Sequence, residues 1–226
     1  MQRFARWHIW LGWLIAVPLV MWTLTGLVMV ARPIEEVRGD HLRVPVEEQA
    51  LPPDVQIAVE LPAESTRPVR SVSTQVEGRT TVTRITYLDG SSERFRADGS
   101  AMAPLTDVEA RLLVAERIVG GDQIAEVTRF EADEPPFDFR RAVPVWQVAL
   151  EDGTLVFVGI ESGALEAVRT RFWRVFDLMG GLHIMDLEAR EDTSHPVLIL
   201  FAGLALLGTL IGTVLLFRRR RSRPRP

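Results

Sequence analysis

The sequence contains no cysteine and no lysine, and neither end carries an acidic residue. Without cysteine there is no disulfide framework, no thiolate metal site and no covalent c-type haem attachment. Any part of the chain placed in an oxidising compartment must therefore be held by its own core. The basic side chains other than histidine are all arginine, 26 of them, which reads as codon bias without functional content. Also missing are an HExxH pair, a nucleophile elbow and a glycine loop that cradles phosphate. The common metalloprotease, serine hydrolase and nucleotide-binding signatures are thereby excluded.

Charge is missing from two long runs as well. Residues 7–31 carry one ionisable side chain, His8, and residues 197–217 carry none. Each is long enough to cross a hydrocarbon core of about 30 Å at about 1.5 Å per residue. The first run is longer than a signal-peptide core, and Met29-Val30-Ala31 is a poor cleavage site, so an uncleaved anchor is predicted. All 30 acidic residues fall between the runs, with 18 arginines, for a net −12. The two ends carry Arg3 and Arg6, then Arg218, Arg219, Arg220, Arg221, Arg223 and Arg225. Arginine concentrates on the cytoplasmic flanks of spans. Both termini are therefore expected in the cytoplasm of a bacterium, and residues 32–195 outside its inner membrane. The arginine tail suits span orientation and lipid headgroups, so nucleic acid is not expected as a partner.

Between the spans, residues 32–69 are rich in Pro, Glu and Val and read as an extended linker. Strand-like runs follow at 71–76, 80–88 and 92–97, separated by EGR and DG turns. A helix is predicted over 106–121, with Thr106 and Glu109 as a capping box, Leu112, Leu113, Ala115 and Ile118 as its apolar stripe, and Gly120-Gly121 as its end. Further strands are predicted at 125–132, 143–150 and 154–160. YLDGSSERFRADGSAMAPL (87–105) parallels LEDGTLVFVGIESGALEAV (150–168), which suggests two copies of one unit with the first copy's helix degenerate or missing.

TDVEARLLVAERIVGG followed by VWQVALEDGTLVFVGIESGALEAV resembles a PepSY domain, with Glu161-Ser162-Gly163 where that family has an acidic-Pro-x-Thr-Gly run. The flanks resemble the PepSY-associated transmembrane family: His8, Leu11, Gly12, Thr25 and Gly26 in the first span, and Leu182-His183 ahead of the last. The resemblance implies a membrane α-helical protein with two transmembrane helices and an exported α+β PepSY-like domain over 70–168. It also implies a link to iron uptake or to the control of exported proteases. Larger members resemble haem-bearing reductases of ferric siderophores. This chain departs from them in having two spans, and in having Ile-Met after Leu-His. An accessory or binding role is therefore expected, with a haem-b electron-transfer subunit, and a protease-inhibitory or sensor anchor, as alternatives.

The candidate haem ligands are His8, His183 and His195. His183 and His195 are 12 residues apart, about 18 Å along a helix, so they cannot clasp one iron from one helix. His8 lies at the other end of the membrane, so a haem implies two copies or a folded-back loop. Gly208 and Gly212 form a small-residue step able to pair two copies, or to pack the two spans of one chain together. Residues 169–195 read as an interfacial amphipathic helix and acidic loop, with Trp173 as anchor and Asp186 placed to orient His183. His8 otherwise belongs to an aromatic belt with Trp7, Trp10 and Trp13, His195 to a cap of the second span, and His41 to the linker. A divalent site from His183, Asp186, Glu188, Glu191, Asp192 and His195 is a further expectation. Besides lipid, the expected partners are an exported protein or an iron complex.

Overall fold

The computed structural model of the chain describes residues 2–47, 49–59 and 67–221. It divides into two compact units, Ile34–Phe172 and a helical unit of Met1–Pro33 with Trp173–Pro226.

The helical unit is built on α1 (Gln2–Met29) and α5 (Pro196–Arg221). Both are long and apolar enough to cross a membrane, and only 17% and 6% of their most apolar windows are buried. Trp10, Trp13, Val17 and Leu216 are at least 70% exposed. Such surface is stable in hydrocarbon and costly in water. α1 packs on α5 where glycine lets it approach. A Cβ on Gly208 would lie 3.2 Å from Ile15 Cδ1 and 3.3 Å from Leu11 Cδ2. The small-residue step of α5 thus faces α1 of the same chain. The unit also contains most of α4 (Arg171–Ile184).

In the other unit, β4 (Ile124–Phe130), β5 (Val145–Leu150), β6 (Leu155–Gly159) and β7 (Leu165–Arg169) form an antiparallel meander. α3 (Asp107–Arg117) lies on one face. Thr106 N–H donates to Glu109 Oε2 at 2.8 Å and Glu109 N–H to Thr106 Oγ1 at 3.3 Å, closing the capping box. The stripe matches the predicted one in part: Ile118 is buried in it and Leu113 packs at its edge. Ala110, Val114 and Ile118, at i, i+4 and i+8, pack on Val148, Val156, Val158 and Val168, whereas Leu112 is 65% exposed. The small side chains Ala110 and Val114 meet the valine-rich sheet. On the other face, Phe139 stacks on Phe157 with ring centroids 5.1 Å apart. Covered on both sides, Val156, Phe157 and Val158 are all fully buried.

A second antiparallel sheet contains β1 (Val69–Glu77), β2 (Thr80–Tyr87) and β3 (Ser92–Arg96) in that order. The sequence parallel is visible in its turns. Tyr87 N–H donates to Ser91 O at 2.9 Å, and Leu150 N–H to Thr154 O at 2.8 Å. Asp89 Oδ1 accepts Ser91 N–H at 2.9 Å, and Asp152 Oδ1 accepts Thr154 N–H at 2.7 Å. Gly90 and Gly153 take φ of 88° and 83°, which glycine reaches without strain. The first copy's fourth strand shrinks to a single bridge between Phe95 and Ala101.

Part of the expected linker is folded. Residues 34–44 contain α2 (Ile34–Val37) and a 3-10 turn at Asp40–Leu42. Val37 is 1% exposed, Leu42 packs on the α3 core, and Arg43 bridges Ile118. Val44 N–H donates to Arg117 O at 2.8 Å, so this stretch covers the C-terminal end of α3. Its few apolar residues lack a period because the contacts come from turns.

Candidate functional site

His183, near the C-terminal end of α4, is held by one turn of α1. Its Nδ1 lies 2.9 Å from Thr25 Oγ1, and Trp22 Nε1 donates to its carbonyl at 2.8 Å. A Cβ on Gly26 would lie 3.5 Å from the ring's Cε1. Thr25 is 3% exposed, and its hydroxyl also lies 2.8 Å from Met21 O. The Thr25 hydroxyl thus meets both a backbone carbonyl of its own helix and the Nδ1 side of the imidazole. Beside this clasp is an apolar groove of about 520 Å³ whose walls include Val20, Met21, Leu24, Met179 and Leu182.

Asp186 does not orient His183. Its carboxylate accepts the backbone N–H groups of Glu188, Ala189, Glu191 and Asp192 at 3.1–3.2 Å. These donors, Asp192 foremost, hold its pKa below the usual carboxylate value. α4 runs through Gly180-Gly181 as far as Ile184. Gly181 instead admits the following loop: a Cβ there would lie 2.6 Å from Arg190 Cγ and 2.8 Å from Asp186 O. Arg190 then reaches back to Asp177 on α4 at 2.7 Å.

His8 lies against α5, where a Cβ on Gly212 would come within 2.8 Å of its Cε1. Among the described residues, the buried Nδ1 atoms of His8 and His195 have no hydrogen-bond partner. His195 precedes α5, and its carbonyl accepts Ile199 N–H at 3.2 Å. His41 is exposed in the 3-10 turn. The structure keeps His8 and His183 apart. His183 meets α1 at Thr25 and Gly26, 17 positions or about 26 Å of helix from His8. A b-type haem needs two axial ligands on one iron. His8 and His183 of one chain therefore do not share an iron. No group of three or more acidic or histidine side chains is placed to hold a metal among the described residues.

The Ile34–Phe172 unit has a different kind of site. A groove of about 520 Å³ opens between β1–β2 and α3, with Gln75, Glu77 and Arg84 on one side and Leu113, Arg117 and Leu165 on the other. Two arginines of the β1–β3 sheet, Arg84 on β2 and Arg94 on β3, reach the β6–β7 turn at its edge. Arg84 Nε donates to Ser162 O at 2.8 Å, and its Nη2 to Glu77 Oε1 at 2.9 Å. Arg94, 7% exposed, donates Nε to Glu161 O at 3.0 Å and Nη2 to Ala103 O at 3.1 Å. Burial pushes its pKa below the usual guanidinium value. Gly163, with φ of 61°, keeps the turn clear, since a Cβ there would lie 2.6 Å from Arg94 Nη1. Sequence reasoning missed both arginines. The one signal was that each stands next to an apolar residue on the other face of its strand, Ile85 or Phe95, a pattern that ordinarily marks a solvent face.

A family profile described as "PepSY-associated TM region" matches residues 5–226. No curated protein and no solved structure matches the chain.

Proposed function

The chain belongs to the PepSY-associated transmembrane family, and on that premise we propose that it is a membrane-anchored binding protein. α1 and α5 hold it in the inner membrane with both termini cytoplasmic. The Ile34–Phe172 unit is displayed on the exported side, where it binds a protein involved in iron uptake or in the control of exported proteins. The observation that carries this reading is the polar groove bounded by Gln75, Glu77, Arg84 and Arg117. It sets charged and amide side chains around Val44, Val46, Leu113 and Leu165, a polar rim about an apolar patch of the kind that protein-recognition surfaces carry. The arginine flanks support the orientation, since eight of the 26 arginines lie at the two termini.

A reduced-minus-oxidised absorption spectrum of the detergent-purified protein, expressed with ample haem, tests the reading. A flat spectrum is expected. Sharp α and Soret bands at one haem per two chains, lost in His8→Ala or His183→Ala, would replace it with electron transfer between copies. Alkaline-phosphatase and green-fluorescent-protein fusions at residue 100 and at the C-terminus test the topology. Phosphatase activity is expected only at the first, and fluorescence only at the second.

A further inference from the structure

We infer that the outer edge of β1 docks an extended, near-neutral peptide segment of an exported protein. The inference rests on the reading of Ile34–Phe172 as a binding module.

The direction of the backbone groups follows from the ladder. Tyr87 donates its N–H to Ser91 O at 2.9 Å and accepts Gly90 N–H at 3.1 Å, so both its groups point toward β3. Backbone direction alternates along a strand, so the even residues of β2 point toward β1. The register pairs Arg84 with Ser73, Val82 with Gln75 and Thr80 with Glu77. The odd residues of β1 are therefore bonded to β2, and the N–H and C=O groups of Val72, Thr74 and Val76 point away from it. Among the described residues none of these groups has a backbone partner.

Edge strands are ordinarily blunted by charge, proline, a bulge or a short length. β1 has nine residues, its irregularity lies between Val69 and Ser71, and 72–76 carries neither charge nor proline. Val72 is 46% exposed. Across from Thr74–Glu77 stand Val46, Glu47, Gln49 and Leu51, leaving a groove of about 530 Å³. It shares Val46, Gln75, Glu77 and Arg117 with the first groove.

These features select the occupant. A row of alternating donors and acceptors is matched by another main chain. Lipid phosphate and free anions supply acceptors only. A second copy would bring β1 with β2 beside it, a ribbon with strands about 4.8 Å apart. Val46, Glu47, Gln49 and Leu51, on the far side of the same groove, stand against that second strand. Residues 72–76 extend about 13–14 Å, enough to pair with roughly five residues. The charged lining is balanced, with Glu47, Glu77 and Glu116 against Arg43, Arg84 and Arg117. A segment of low net charge suits it, recognised by main-chain pairing with alternate side chains turned into the groove.

Thr74→Pro tests the edge, because it removes an outward N–H and no ladder bond. It also removes the hydroxyl that lies 2.9 Å from Thr83 Oγ1, so Thr74→Val, which keeps the N–H, is the control. The probes are synthetic decapeptides selected from a displayed random library against the full-length protein in detergent. Wild type and Thr74→Val should bind them alike, and Thr74→Pro about tenfold or more weakly. N-methylation of alternate peptide amides should have the same effect on wild type, which keeps the test valid should Thr74→Pro fail to fold. Selected peptides indifferent to Thr74→Pro and to N-methylation, or a library yielding no binder, would overturn the inference. So would a dimer, seen by light scattering, that Thr74→Pro dissolves, for it would give the edge to a second copy. A protein crosslinked in cells from Gln75 but indifferent to Thr74→Pro would sink the edge and leave the binding reading standing. A stoichiometric haem spectrum would sink the binding reading itself.

Discussion

Arg94→Met should destabilise the Ile34–Phe172 unit by about 2 kcal/mol, and Arg94→Lys by at least as much. The wild-type side chain bridges Glu161 O and Ala103 O at 3.0 and 3.1 Å while only 7% exposed. Two opposing effects set the size. Each bond from a charged donor contributes about 1.5–3 kcal/mol, so roughly 3–6 kcal/mol is lost with the pair. Against this, the guanidinium is held out of water, at a desolvation cost of several kcal/mol that methionine does not incur. Burial is the larger influence on this group, with the carboxylates of Glu77 and Glu109 acting in the opposite direction. Methionine also retains most of the apolar stem. A net loss of about 2 kcal/mol corresponds to roughly 6–8 °C in Tm for a unit of this size. Lysine is the more informative variant. It keeps the charge, but an ammonium lacks the planar fork that serves two carbonyls, and a buried cation is left under-bonded. Thermal unfolding of the full-length protein in detergent, followed by near-ultraviolet circular dichroism, measures both. An Arg94→Lys protein as stable as wild type would refute the reasoning, because it would place the stabilisation in the field of Glu77 and Glu109.

Val114→Ala removes two methyl groups from a fully buried position. It should cost about 2–3 kcal/mol in the same assay, the transfer of two groups plus a cavity. Leu112→Ala, on the exposed side of α3, should cost under about 0.5 kcal/mol, and equal costs would return the stripe to its predicted phase. In the helical unit, Gly12→Ala meets nothing within 4 Å and Gly26→Ala meets His183 at 3.5 Å, whereas Gly212→Ala would put a methyl 2.8 Å from the His8 ring. Detergent-solubilised thermal stability should therefore fall in Gly212→Ala and stay near wild type in the other two; the reverse order would rule out this packing. Asp186 has a lowered native pKa. The order it gives its loop is complete above its unfolded-state pKa of about 3.9 and is lost as pH falls through the native value. Amide protection at Glu188, Ala189, Glu191 and Asp192, corrected for intrinsic exchange, should hold down to about pH 4 and vanish at neutral pH in Asp186→Asn. Protection that survives Asp186→Asn would mean other contacts order the loop.

Signals that are local in the chain were legible. The spans follow from run length, the α3 start from Thr106 and Glu109, and the hairpin turns from Asp89-Gly90 and Asp152-Gly153. What escaped depends on partners distant in sequence. Residues 34–44 lack periodicity, yet the α3 end and Val168 shape them: a Cβ on Gly39 would lie 2.6 Å from Val168 Cγ1. Arg84 and Arg94 look solvated until the β6–β7 turn, about 67–78 residues away, supplies their carbonyls. Gly180-Gly181 looks like a helix end, because close approach by a later loop leaves no trace in local propensity.

The same distinction bears on the histidines. Four positions that carry the family resemblance, His8, Thr25, Gly26 and His183, resolve into two contacts. The hydroxyl of Thr25 and the bare surface of Gly26 receive His183, and Gly212 receives His8. Each pairing joins a histidine to a small residue on another helix, which is what close helix packing in an apolar medium requires. These residue types are thus accounted for by packing within one chain. A ligand role adds a further demand on them. Since Nδ1 of His183 is engaged by Thr25, only Nε2 is left to bind a metal. Thr25→Val separates the two demands. It removes the oxygen that meets Nδ1 while leaving Nε2 and Gly26 in place. If His183 serves packing alone, Thr25→Val should lower the stability of the helical unit by about 1 kcal/mol and leave the visible absorption spectrum flat. A haem spectrum whose midpoint potential shifts in Thr25→Val would instead show that Thr25 tunes a ligand.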